Sequence, residues 1–596
     1  MRRALVGLVL VVTVASNGAV VRGQGAQGAD PGFLKRNFSP VAYLKASNPR
    51  ADAKLGFGSA LTGRTLAMSR DGNTIAVSAP DESSAATGVN GNQKDDTAGG
   101  SGAVYVFTRG GAGRPWAQEA YLKASNTDGY DSFGFSVALS GNGNTLAVTA
   151  TREDSNARGI NGNQADNSAE DSGAAYVFTR AGGRWSQQAY VKASNSDAGD
   201  QFGWSVTLSD DGNVMAVGAP TEASNARGVN GNQADNSAAN AGATYVFTRS
   251  GSTWSQQTYL KGEQTDAGDL FGFCVDLSND GNTLAICGFD EDGGVPGVNG
   301  NQADNSSANA GAGYVFTRSG STWSQQAYLK GAQTDAGDLF GFAVSLSSDG
   351  AMLAISGYDE DGGVPGINGN EADNSKGGSG CAYIFVRDGA TWKQTTYLKE
   401  SNLDHPQDAF GSALALSGDG RTLAVDAPDE DGLIGGINGQ QYSGKENQDT
   451  SNGAIYVFVN TNGTWSQQAY IKSSNPHPND LFGIRLAIST NGNVLAATSM
   501  LQGGGGRGLN ANQQDFSAEE SGAAYVFTRT GTTWTQRAYL KAPNSDAYDE
   551  FGSGVALSGD GNTLAIAAWG EDGGSAGIGG NMNDNSVRAS GAVYVY

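Results

Sequence analysis

One pattern recurs along this chain so regularly that it leaves few folds open. A Tyr-hydrophobic-Lys triplet places its tyrosine at Tyr43, Tyr121, Tyr190, Tyr259, Tyr328, Tyr397, Tyr470 and Tyr539, mostly 69 residues apart. A second tyrosine, in a Tyr-hydrophobic-aromatic triplet, stands at Tyr105, Tyr176, Tyr245, Tyr314, Tyr383, Tyr456, Tyr525 and Tyr594. The chain therefore holds eight units, each of which must bury its apolar surface against its neighbours.

Within a unit, four short segments alternate in hydrophobicity with the period of β-strands and are separated by turn residues. In the second unit Phe133, Phe135, Val137 and Leu139 share one face of the first segment, and Thr145 to Ala150 is almost wholly apolar, as a doubly covered strand should be. Gly173 to Thr179 surrounds Tyr176 and Phe178, while Trp185 to Lys192, with Ser186, Gln187 and Gln188, reads as a partly wet outer edge. Four strands repeated radially make a β-propeller blade. The last unit stops inside its third strand, and Phe38 to Lys45 is a fourth strand with no blade before it. The expected fold is all-β: an eight-bladed propeller of four-stranded antiparallel blades over residues 38–596, closed by the N-terminal strand. Seven blades and an open solenoid are the alternatives.

Glycine (90 residues) with little proline (13) and 38% hydrophobic residues fits a turn-rich globular protein. A net charge of −23 argues against a nucleic-acid backbone or an anionic membrane as partner. The two histidines, His405 and His477, are too few for a histidine-based site in every unit; each stands before a proline at an equivalent loop position. Arg2 and Arg3 followed by an apolar run, Ala4 to Ala15, read as a secretory signal over residues 1–25, with a linker at 26–37. The mature chain is thus expected to be secreted, extracellular or at the cell surface, without a transmembrane segment, and monomeric. Asn37, Asn305 and Asn462 lie in glycosylation sequons.

Phe202-Gly203 followed by Gly218-Ala219-Pro220 resembles the FG-GAP repeat of the integrin α-chain head, and Ala79-Pro80 and Ala427-Pro428 keep its end. Thr149-Ala150-Thr151, Gly288-Phe289-Asp290 and Gly357-Tyr358-Asp359 depart from it. In the first unit Thr62-Gly63 takes the Phe-Gly position, with Phe57-Gly58 displaced by five residues. The resemblance implies a propeller and an adhesion-type role. It also implies calcium in a DxDxDG-type loop between the first two strands. Here those loops read Ser209-Asp-Asp-Gly-Asn213 and Ser558-Gly-Asp-Gly-Asn562, which are tight hairpins with too few oxygens for a calcium cage.

Oxygen-bearing side chains gather instead in the loop between the second and third strands: Asn161, Asn163 and Asp166, then Asn230, Asn232 and Asp235, then Asn299, Asn301 and Asp304, then Asn368, Asn370 and Asp373. They are candidate ligands for calcium, the one cofactor in view, or else organise the loops through side-chain to backbone bonds. The fourth-to-first loop, on the same rim, carries a DxxDxFG pattern at Asp128 and Asp131, Asp197 and Asp200, Asp266 and Asp269, Asp335 and Asp338, and Asp546 and Asp549. Arg109, Arg180, Arg249, Arg318, Arg387 and Arg529 mark the opposite rim, so the disc should be electrostatically two-faced.

Cys274 and Cys287 face each other across the Asp280-Gly281 turn, and a disulfide between them is expected, with two buried thiols as the alternative. Cys381 should be a buried free thiol, and the blade tryptophans Trp116 to Trp534 should serve packing before sugar stacking. The function expected is a binding or adhesion module, not an enzyme, that presents its Asp/Asn-rich rim to an extracellular protein or glycan. A carbohydrate-processing enzyme and a structural surface or matrix component are the competing classes.

Overall fold

Within a blade each strand pairs with the one before it, the first and second and the third and fourth through tight turns and the second and third through a long loop. In the second blade Val137–Leu139, Thr145–Ala150, Ala174–Ala181 and Arg184–Val191 form one antiparallel sheet in that order. Our computed structural model describes residues 40–57, 64–403, 406–441 and 450–596. The signal and linker segments, Phe38, Asn37 and His405 lie outside the described residues.

Eight sheets are present, and the first strand of each lies beside the first strand of the next, with Phe551–Leu557 beside Leu66–Met68. The ring is closed by Ala42–Leu44, which pairs with Ala592–Val595 and supplies the fourth strand of the eighth blade. The closing register matches the others: Tyr43 stands opposite Tyr594 as Tyr190 stands opposite Tyr176. The sixth blade adds a two-residue strand, Gly436–Ile437, outside its fourth.

The core is the set of interfaces between blades. Ala76, Val104 and Val106 of the first blade pack on Phe133, Val137 and Val148 of the second, all fully buried. Burying a side chain such as Phe133 contributes about 1.5–3 kcal/mol. Phe133 meets Tyr176 at 5.2 Å and Phe178 at 6.1 Å between ring centroids, which is what the Phe of each Phe-Gly pair does in the core. The Gly that follows turns the chain at φ +99°, and a Cβ there would lie 2.7 Å from Ser78 of the preceding blade. In the first blade the structure corrects the expected alignment. Leu55-Gly56 takes the Phe-Gly position, with Leu55 bridged to Gly591 as Phe271 is to Gly242, and Gly56 at φ +86°.

The hairpin turns between first and second strands meet at the axis and close one pole. Main-chain bonds run from Asp210 N to Asn279 O, Asn279 N to Ser348 O, Ser348 N to Gly418 O, Asp419 N to Thr490 O, Thr490 N to Gly559 O, Gly559 N to Arg70 O and Arg70 N to Gly141 O, all 2.9–3.1 Å. Among the described residues no such bond joins the second blade to the third; there an ion pair between Arg70 of the first blade and Asp210 of the third passes over the second. Gly141 lies beneath it, where a Cβ would sit 1.5 Å from Asp210 Oδ1.

Candidate functional site

The opposite pole carries the long loops, and a buried polar hub fastens them in each blade. In the second blade Glu153, 1% exposed, receives Lys192 Nζ at 2.7 Å, Tyr190 OH at 2.9 Å and Asn126 Nδ2 at 2.7 Å. Lys192 Nζ also bonds Ser172 Oγ at 2.6 Å, and Asn126 Oδ1 receives Tyr176 OH at 2.8 Å. The same buried pair recurs as Lys45–Glu571, Lys123–Glu82, Lys261–Glu222, Lys330–Glu291, Lys399–Glu360 and Lys472–Glu430. A lysine at the end of every fourth strand and a glutamate just past seven of the eight second strands were visible as residues, but their pairing follows only from the blade register. In the seventh blade Gln502 replaces the glutamate and bonds Lys541 at 3.2 Å.

The expected cation ligands divide into three local tasks. Asn161, Asn230, Asn299 and Asn368 have positive φ, and each accepts the main-chain N–H of the fourth-strand tyrosine on its Oδ1: Tyr190, Tyr259, Tyr328 and Tyr397, at 2.9–3.0 Å. Asn163, Asn232, Asn301 and Asn370 accept the N–H two residues on, at 3.2–3.3 Å. Asp166, Asp235, Asp304 and Asp373 do the same from Ser168, Ser237, Ser306 and Ser375 at 2.9–3.1 Å. These are the bonds by which Asx side chains order irregular loops. Among the described residues no three His, Cys, Asp or Glu side chains converge as a metal site. In each of these blades the three expected ligands thus already accept main-chain N–H groups.

The DxxD aspartates split into an outer and an inner member. The outer Asp128, Asp197, Asp266, Asp335 and Asp546 accept Asn167, Asn236, Asn305, Asn374 and Asn585 of the second-to-third loop, tying the two loops of the rim together. The inner Asp131, Asp200, Asp269, Asp338 and Asp549 are buried and accept the N–H of their outer partner. Burial pushes Asp131, Asp200 and Asp549 up to about 8 and Asp269 and Asp338 up to about 7, against the downward pull of that bond. Of the two carboxyl rows expected on the rim surface, only the outer one reaches solvent.

Inside the rim the first, innermost strand of each blade begins. The residue after each Phe-Gly pair stands there: Phe57, Phe135, Trp204, Phe273 and Phe342 in the first five blades, then Ser412, Ile484 and Ser553. Trp204 lies 5.4 Å from Phe135 and 6.0 Å from Phe273, and Phe289 and Tyr358, at the ends of second strands, continue the belt. Trp569 packs edge-on against Phe57 at 5.2 Å.

Three stretches of the chain, residues 116–178, 185–247 and 534–596, match the FG-GAP repeat family model. Each runs from the tryptophan of one blade's fourth strand towards the end of the third strand of the next. The protein is a β-propeller that carries FG-GAP repeats in these three stretches. No curated protein matches it. Among solved structures it is similar to the Dos1 propeller, at 9% identity over 94% of each chain with a TM-score of 0.43. It is also similar to a putative 6-phosphogluconolactonase from Bacteroides uniformis, at 12% identity over 74% of this chain and 92% of that one, TM-score 0.37. A periplasmic gluconolactonase from Pseudomonas aeruginosa matches at 14% identity over 74% of this chain and 93% of that one, TM-score 0.36.

Elsewhere in the propeller the disulfide expectation is corrected: Cys274 and Cys287 are free, buried thiols, as is Cys381. Val275 does face Ile286, as the turn requires, but the ladder breaks between Phe271 and Val275. Cys274 Sγ donates instead to Gly341 O of the next blade at 3.3 Å. Burial pushes the Cys287 thiol up, and its neighbour Cys274 adds to the effect. His477 stacks on Phe516 at 4.5 Å. The tryptophans are buried, and Trp254 Nε1 donates to Gln188 of the previous blade at 2.8 Å, so they pack as expected. Four of the opposite-rim arginines, Arg109, Arg249, Arg318 and Arg529, lie over them, Arg249 5.6 Å from the Trp254 ring. Among the described residues no helix is long and apolar enough to cross a membrane.

Proposed function

We propose that this FG-GAP propeller is a secreted or cell-surface binding module that meets an extracellular protein or glycan with its Asp/Asn-rich rim. What carries the reading is the inequality of the two poles. One is drawn together by main-chain bonds and the Arg70–Asp210 pair; the other carries an aromatic belt, framed by loops that buried hubs hold in place. Loops fixed on a rigid scaffold are where binding surfaces form. Tyr130, 73% exposed, and Tyr548, 55% exposed, stand at equivalent positions on this rim and offer the rigid amphipathic contacts that interfaces favour.

Calcium enters this reading as a bridge. The loop oxygens already serve their own backbone, so a cation would be held only when a ligand adds oxygens of its own. Binding is favoured over turnover because the acids nearest the axis are engaged within the protein: Asp426 by Ser412 and the Ala413 N–H, and Glu550 by Trp569.

The test is capture of the purified protein on arrays of glycans and extracellular proteins, in millimolar calcium and in chelator, with a Tyr130→Ala/Tyr548→Ala variant alongside. Specific capture reduced at least tenfold in the variant is expected, with no release of cleaved glycan. Absence of capture, or capture indifferent to both tyrosines, would count against the rim.

A further inference from the structure

One junction of the rim departs from the rest. In five blades an asparagine of the second-to-third loop donates to the outer DxxD aspartate of the loop before it: Asn167 to Asp128, Asn236 to Asp197, Asn305 to Asp266, Asn374 to Asp335 and Asn585 to Asp546, at 2.6–3.0 Å. The first blade places Arg50 and Asp96 in the same two positions and pairs them as ions. At the seventh blade both partners change together. His477 stands where the aspartate belongs, three residues before the buried Asp480, and Phe516 directly follows Asp515 as Asn167 follows Asp166. Their rings stack at 4.5 Å and 26°. A polar tie between two loops has become an apolar one, with both loops altered to make it.

The stack is the middle of an apolar surface. Phe516 is 40% exposed, and His477 and Pro478 are exposed beside it. Pro476 leads on to the sixth blade's loop: a Cβ on Gly435 would lie 2.9 Å from Pro476 Cδ, and Ile434, next along, is 51% exposed. On the other side, three residues past Phe516, Glu519 O accepts the N–H of the exposed Tyr548 at 2.8 Å. Large apolar side chains gathered on a surface mark an interaction site, where scattered ones do not. The border of this surface is acidic. Asp515 and Glu519 stand on either side of Phe516 in its loop, and bonds from Ser517 hold the Asp515 carboxyl below the usual range, so it is charged at neutral pH. Arg507 of the same loop is already paired with Asp546 at 3.0 Å. This is also the loop whose hub holds Gln502 in place of glutamate, and it begins with Gly503 to Gly506, so it is fastened without an ion pair and is free to adjust to a partner.

We infer that this surface docks a short segment of a partner protein whose apolar side chains are flanked by lysine or arginine, which rests on the rim being the binding face and names the partner's chemistry there. The apolar side chains cover Ile434, Pro478 and Phe516, and the cations meet Asp515 and Glu519. A net charge of −23 draws a cationic segment in and sets a second copy of this chain against it. A handful of side chains also falls well short of the about 20–30 residues that each side of a stable dimer contributes.

Fluorescence anisotropy of the full chain with labelled peptides of alternating leucine and lysine, leucine and glutamate, and serine and lysine tests the inference. The leucine-lysine peptide should bind at least tenfold more tightly than either of the others. The double variant His477→Asp/Phe516→Asn rebuilds the pair found at five other junctions, so the rim has a place for it, and it should weaken that peptide at least tenfold. Charge alone predicts the opposite, because the variant adds a carboxylate. Should the double variant fold poorly, Ile434→Ser, at an exposed position, should weaken the same peptide at least threefold. No binding of the leucine-lysine peptide at millimolar concentration, equal binding of the serine-lysine peptide, or affinity unchanged in these variants would each overturn it. So would a dimer in sedimentation that the double variant dissociates, since the occupant would then be a second copy. Array capture that needs Tyr130 and Tyr548 but survives the double variant would overturn this inference and leave the rim reading standing; capture indifferent to the tyrosines counts against the rim itself.

Discussion

Lys541 is a lysine buried like seven others but denied their carboxylate. Burial, the largest cause, brings it down to about 7, because Gln502 offers an amide oxygen where Glu153 and its equivalents offer a charge. Its folded value lies below its unfolded one, so the cost appears as pH falls from above 10 through 7 and is absent at higher pH. Gln502→Glu should therefore stabilise the protein at pH 7 by about 1–3 kcal/mol, somewhat less than removing one partner of a buried pair costs. Urea unfolding at pH 7 reads the difference, and an unchanged midpoint would mean that water already serves Lys541. The converse change, Glu153→Gln in the second blade, should cost about 3–5 kcal/mol. None of this was legible from the single residues. A lysine repeated at a strand end looks like a solvated edge until the register carries it inward, and Gln502 stands out only against its seven counterparts.

At the scale of strands and turns the sequence was far more informative. Alternation, Asp-Gly turns and the two tyrosines per unit were enough to place the sheets and their pairing, because one face of every strand is buried and a one-residue slip would expose it. The pattern misled where a local irregularity intervened. Leu55 stands in for the usual phenylalanine, so the first Phe-Gly site was sought at Thr62-Gly63, and a break in the ladder at Cys274 undid a disulfide whose register was right. Phe516 escaped notice because it lies far along the chain from His477; that the two stand where other blades tie asparagine to aspartate is a three-dimensional fact. The closing strand gives the sharpest test at this scale. A chain lacking residues up to Lys45 loses the Ala42–Leu44 pairing and the Lys45–Glu571 bond at 2.6 Å, and it exposes Val593 and Val595 at an open sheet edge. It should melt at least 10 °C lower and aggregate on heating; an unchanged melting curve would show that the ring does not need this strand.

Taken as a whole, the molecule buries a circle of carboxylates beneath one face. Asp131, Asp200, Asp269, Asp338, Asp480 and Asp549 all have folded values raised to about 7 or 8, with burial the leading cause in each. Groups raised above their unfolded values stabilise fully below about pH 4, and that contribution is lost as pH rises through 7 and 8. The melting temperature should consequently be higher at pH 5 than at pH 8.5, and replacing Asp200 with Asn should flatten the profile by one site's share. A profile that instead rose across that interval would show these carboxyls to be ionised in the fold.

The closing strand also sets an order of events in time. Ala42–Leu44 is translated before any blade exists, yet its place beside Ala592–Val595 appears only when the last of them has been made. During synthesis seven blades can stack one upon another while this segment has nowhere to go, so ring closure waits for the last blade, and the strand that leads the described chain out of the ribosome is the last to dock.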